Sequence, residues 1–257
     1  MIEDDLHLTE PGEPAEQPIP FAAPPPRVPV WGWADAALFF TCAIPCLLLA
    51  EMGGVALAKL LHVKPDMPAV LVGSQGVAYA ALFLILAKIL DVNYGAPFWQ
   101  SLGWVPSRMS SGAAIGTGIL LAFGLALVGG LLRIPDVDSP MQKMLEAPYG
   151  AVILAVFGTT VAPVAEELAF RGFLQPLAVR TAGTVAGILL TSVLFGLLHL
   201  EQNGDSWAHV GLITVAGIAF GVLRHLSGSL RTSILAHAAY NSTLFLAFFA
   251  YGRNLKH

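Results

Sequence analysis

The chain has 257 residues, 56% of them hydrophobic and only 12% charged, with a mean hydropathy of +0.70 and a formal net charge of −4. Soluble domains carry about 25% charged residues, so a water-soluble globule is excluded and an integral membrane protein is expected. The net charge says nothing of partners, because Glu3, Asp4, Asp5, Glu10, Glu13 and Glu16 stand against Arg27 alone at the N-terminus, and no nucleic-acid partner is expected.

Residues 1–30, with the run PGEPAEQPIPFAAPPPRVP, hold too few large apolar side chains to fold and read as a disordered, Pro-rich acidic tail. This tail lacks the basic stretch and apolar core of a cleaved signal peptide, so the first membrane helix is expected to be retained. Residues 31–257 read as one integral membrane domain. A helical span needs about 20 apolar residues, and runs of that kind fall at about 31–58, 67–90, 111–133, 148–171, 183–200, 207–224 and 231–251. The fold class is therefore all-α, a polytopic transmembrane helix bundle of about seven spans. Breaks at Pro45 and Pro163 would extend the range to six to eight.

Cys42 and Cys46 lie a helical turn apart in the first span, too far for a disulfide within a regular helix, and read as small packing residues. Between the second and third spans, Tyr94, Phe98, Trp99 and Trp104 suit the headgroup region and an interfacial helix. Small residues recur at four-residue spacing in Gly112 and Gly116, Gly183 and Gly187, and Gly217 and Gly221, which reads as close helix packing. Seven basic residues on the side of the N-terminus against six on the other do not decide the orientation.

Chemistry concentrates in three motifs. Glu166 and Glu167 sit in the apolar run VILAVFGTTVAPVAEELAFRGFL, where each ionised carboxylate costs about 2.5–3.5 kcal/mol to insert near the bilayer centre. Glu167 and Arg171 are spaced i,i+4 with the acid first, the favourable order for a helical ion pair. Glu166 points about 100° away around the helix, unclaimed by that pair and free to act as a general base for water. His199 ends LLTSVLFGLLH with Phe195 one turn earlier, so the aromatic ring would pack beneath the imidazole. His237 and Asn241 project from one helix face in HAAYN, and their N–H groups aimed at one point would hold a developing negative charge.

Glu166-Glu167-x-x-x-Arg171, Phe195-x-x-x-His199 and His237-x-x-x-Asn241, in this order and in the contexts EELAFRGFL, LFGLLH and GSLRTSILAHAAYN, resemble the motifs of the CAAX-protease and bacteriocin-processing family of intramembrane glutamate peptidases. The resemblance covers about 148–250. It implies a peptidase with no cofactor and no catalytic metal, in which Glu166 and His199 activate water, His237 and Asn241 stabilise the oxyanion, and Glu167, Arg171 and Phe195 support the site. It also implies a peptide or protein substrate cut near its C-terminus, prenylated in the family's eukaryotic members, with the lipid bilayer as the other partner. Short loops favour a bacterial inner membrane.

Other readings stay open at this point. Glu166, His199 and His237 would also compose a two-His-one-carboxylate zinc set, although no His-Glu-x-x-His is present. The absence of Gly-x-Ser-x-Gly argues against a serine nucleophile. A non-catalytic immunity or binding protein of the same family would keep the motifs without cutting. A proton-coupled transporter would use the same acids and imidazoles as relays.

Overall fold

The computed structural model describes residues 29–64, 67–135, 137–147 and 149–252, and every regular element among them is helical. Of the acidic tail expected over 1–30, all but the last two residues lie outside the described residues. Six helices are long and apolar enough to cross a membrane. They are α1 (Trp33–Leu60), α2 (Pro68–Tyr94), α4 (Ser111–Leu131), a composite helix over Gly150–Ala182, α10 (Trp207–Ser227) and the helix over Leu230–Tyr251, of which α11 is Leu230–Ala247. The seventh apolar segment, α9 (Thr184–Leu197), has only 14 residues. Short helices α3 (Phe98–Ser101) and α5 (Pro140–Glu146) complete the connections. Helix α5 starts at Pro140, with the Ser139 hydroxyl accepting from the Gln142 N–H as its cap.

The two prolines behave differently. Pro45 is exposed inside α1, which runs through it unbroken. Pro163 is the third residue of α7 (Val161–Glu167), where its ring excludes a helical carbonyl four residues back, and the chain breaks at Thr160, just after α6 (Gly150–Thr159). Beyond α7 the helix widens into a π-helix over Leu168–Leu174 before α8 (Gln175–Ala182), so this span reaches further than the expected 148–171.

Packing centres on the later helices. α11 lies against α4, α6, α7 and α10, α9 lies between α8 and α10, and α1 pairs with α2. One buried cluster joins Trp31 and Phe39 to Phe170, Phe173 and Phe195, with Cys42 and Cys46 packed on its edge as free thiols. The Trp31 indole N–H donates to the Phe173 carbonyl at 3.0 Å, tying the start of the described chain to the π-helix. At the same end, residues 102–108 wrap the tight α10–α11 turn. Leu230 N–H donates to Gly103 O at 2.8 Å, and Ser107 and Thr232 hydroxyls meet at 2.7 Å.

The three glycine pairs part company. Gly112 and Gly116 have open space where a Cβ would stand. Gly187 abuts the backbone of Val179. Gly217 and Gly221 present bare carbonyls to polar side chains, Arg171 Nη2 donating to Gly217 O at 2.9 Å and Gln175 Nε2 to Gly221 O at 3.0 Å.

Candidate active site

The broken composite helix carries two neighbouring carboxylates to different places. Glu167 is fully buried, with Oε1 at 3.1 Å from Arg171 Nη1 and 3.0 Å from His237 Nδ1. Arg171 is 1% exposed, and its guanidinium carbon stands 4.4 Å from the centre of the Phe195 ring. The Glu167–Arg171 contact is an ion pair, and among the described residues Arg171 Nη1 and Nε make no hydrogen bond. Glu166 is 20% exposed and faces the two imidazoles, with Oε2 at 3.9 Å from His199 Nε2 and 3.8 Å from His237 Nε2.

Hydrogen bonding fixes which nitrogen of each ring faces Glu166. The His199 Nδ1 lies 2.7 Å from the Phe195 carbonyl, an acceptor, so Nδ1 carries the proton there. That carbonyl is among those left without a helical partner where α9 stops, and the Asn203 amide donates to the His199 carbonyl in the next turn at 2.8 Å. His237 Nδ1 likewise donates to the Glu167 carboxylate. In the neutral form of each ring, Nε2 then offers a lone pair toward Glu166. At 3.8–3.9 Å, Glu166 and each Nε2 are too far apart for direct hydrogen bonds, and acceptors so placed call for a proton, or a water carrying one, between them.

Aromatic rings hold the imidazoles in place. Phe195 lies 4.6 Å from the His199 ring and 5.9 Å from that of His237, between centres. Phe220 stacks on His237 at 4.6 Å with 17° between planes. Asn241 is one turn beyond His237 and donates one amide N–H to the Gly158 carbonyl at 2.6 Å, leaving the second free. The structure thus brings Glu166, His199 and His237 together, places Glu167, Arg171 and Phe195 directly behind them, and sets Asn241 against the end of α6. Among the described residues no three His, Cys, Asp or Glu side chains are grouped as a metal site.

The sequence reading does not single out Phe220, Gly158 or Asn203, and it takes Gly217 as packing alone. The Gly217 and Gly221 spacing was visible, but its use as a pair of side-chain acceptors needs the π-helix opposite. Asn203, four residues after His199, was the available signal for a helix end. Nothing local marks Phe220.

These features define an integral membrane protein of all-α fold, with acid and imidazole groups gathered inside its later helices. Residues 148–243 match the Rce1-like family, described as type II CAAX prenyl endopeptidase Rce1-like, so this part of the chain is similar to that family of proteases. The match takes in every motif residue from Glu166 to Asn241 and leaves residues 1–147 outside it. No curated protein and no solved structure matches the chain significantly.

Proposed function

We propose that the protein is an intramembrane endopeptidase that cleaves a peptide bond with a water activated by Glu166, in CAAX-type or related C-terminal processing. The observation that carries this reading is the convergence of the Glu166 carboxylate and two Nε2 lone pairs at 3.8–3.9 Å, with both Nδ1 positions already engaged. A water donating one O–H to Glu166 and the other to His199 keeps an oxygen lone pair for the scissile carbonyl carbon. As it adds, Glu166 takes one proton, the C–O bond forms, and the carbonyl π pair moves to oxygen. The free N–H of Asn241 meets that oxyanion, and His237 joins it from Nε2 when doubly protonated. Collapse restores the carbonyl, breaks the C–N bond and returns the proton from Glu166 to the leaving amine, so no net proton is consumed.

Residues 31–257 form the membrane domain in this reading, with the acidic tail outside it, a peptide or protein as substrate and a bacterial inner membrane as the setting. Glu166→Gln tests it, because the variant keeps the shape and removes the base. Cleavage of a farnesylated, fluorescence-quenched peptide ending in Cys-aliphatic-aliphatic-X should fall about 100- to 10,000-fold, the usual span for losing a general base. In cells, a deletion strain rescued by wild type should differ in its membrane peptides from one rescued by Glu166→Gln. Identical peptide profiles with full retention of cleavage by the variant would leave a binding protein instead.

A further inference from the structure

The proposed mechanism is short of unconditional donors. Glu166 accepts, and the Nε2 atoms of His199 and His237 accept while their rings are neutral. Asn241 has one N–H left after Gly158 takes the other. A tetrahedral oxyanion is stabilised by donors fixed in advance, so a further neutral O–H or N–H near this cluster would be functional.

Helix α2, outside the family-matched region, supplies one. Gln75 and Tyr79 form a polar i,i+4 pair within a span of mean hydropathy 2.0, where unpaired polar groups are costly. The Gln75 amide donates to the Tyr79 hydroxyl oxygen at 2.8 Å, so the phenol's own proton remains free to donate. The Tyr79 ring stacks on Phe157 with 6.1 Å between centres and 16° between planes. Phe157 immediately precedes Gly158, the residue whose carbonyl holds Asn241. Tyr79 and Asn241 therefore flank consecutive residues in the last turn of α6, just ahead of the break that leads to Glu166.

The geometry points to Tyr79 as an additional oxyanion donor, its phenolic O–H meeting the oxygen of the scissile carbonyl beside Asn241 while Gln75 and Phe157 hold the ring. This rests on the peptidase reading above. Tyr79→Phe keeps the stack on Phe157 and removes only the hydroxyl. With the farnesylated peptide probe, its kcat should fall about 100-fold with little change in KM, the signature of a contact made in the transition state. Gln75→Leu, which leaves the phenol in place but unheld, should fall between wild type and Tyr79→Phe. Neither should lower the thermal midpoint enough to account for the loss, and a noncleavable version of the probe should bind Glu166→Gln and Glu166→Gln/Tyr79→Phe equally well.

Wild-type kcat in Tyr79→Phe, a rise in KM alone, or activity that tracks lost stability would overturn the assignment of Tyr79 and leave the peptidase reading standing. A wild type that cannot cleave the probe, or a fully active Glu166→Gln, would overturn that reading and this inference with it.

Discussion

Removing the charge of Glu167 while leaving Arg171 in place should be among the most damaging single changes in the molecule. Glu167 is 0% and Arg171 1% exposed, and their 3.1 Å contact lies among Phe170, Phe195 and Phe220. Breaking one side of a buried ion pair typically costs about 3–5 kcal/mol, because the remaining charge has no water to turn to. Glu167→Gln and Arg171→Met are each expected in that range. The double variant strands no charge. It loses the Arg171 bond to Gly217, worth about 1 kcal/mol, and a desolvated cation–π contact of about 2 kcal/mol, so it should cost roughly 3 kcal/mol where the singles sum to about 6–10. Reversible unfolding in mixed micelles, read as a double-mutant cycle, gives the coupling directly. Singles below about 1 kcal/mol, or a double equal to their sum, would refute the idea that this pair is a closed electrostatic unit bracing His237.

Asn241→Ala should lower turnover about 100- to 1000-fold with little effect on substrate affinity, as expected for loss of one oxyanion donor; steady-state kcat and KM check it. Gly217→Ala would bring a methyl to 3.1 Å from Arg171 Nη2 and 3.2 Å from Ser192 Cβ and should cost about 1–3 kcal/mol. Gly112→Ala, whose Cβ meets open space, should be neutral or stabilise by up to about 1 kcal/mol; equal unfolding midpoints for the two would contradict the packing described. Exhaustive chelation should leave peptide cleavage intact and elemental analysis should find no stoichiometric zinc. Activity that disappears with chelator and returns with zinc would reassign Glu166, His199 and His237 as ligands.

Much of the fold was legible because lipid imposes a simple rule of length and hydropathy on each span, and six of the seven expected runs are long helices. The split between the two glutamates was legible too, since a step of one residue turns about 100° around a helix. What the sequence hid depends on partners distant along the chain. The π-helix over Leu168–Leu174 lets Arg171 and Gln175 face Gly217 and Gly221, and no local pattern announces that widening. A tyrosine in an apolar span such as Tyr79 reads as packing until its contacts with Gln75 and Phe157 are known. Pro163 was recognised as a breaker, but the break falls three residues earlier, where its ring collides with the preceding turn.

The shortness of α9 ties the architecture to the proposed chemistry. Fourteen residues rise about 21 Å, less than the roughly 30 Å of a bilayer's hydrocarbon core, so a helix of this length that starts at one interface stops short of the other, and its last carbonyls must find partners. Irregular backbone at such depth is tolerated only inside protein or beside water. Here the orphaned Phe195 carbonyl is met by His199 Nδ1, and the His199 carbonyl by Asn203. Past this point the chain turns through Glu201–Asn203 to α10, and Glu166 and His199 keep 20% and 17% of their side-chain surface open. Both groups of the proposed site thus stay partly open just beyond the end of α9. His199, two residues past that end, serves both parts of the arrangement, meeting the Phe195 carbonyl with one ring nitrogen and facing Glu166 with the other.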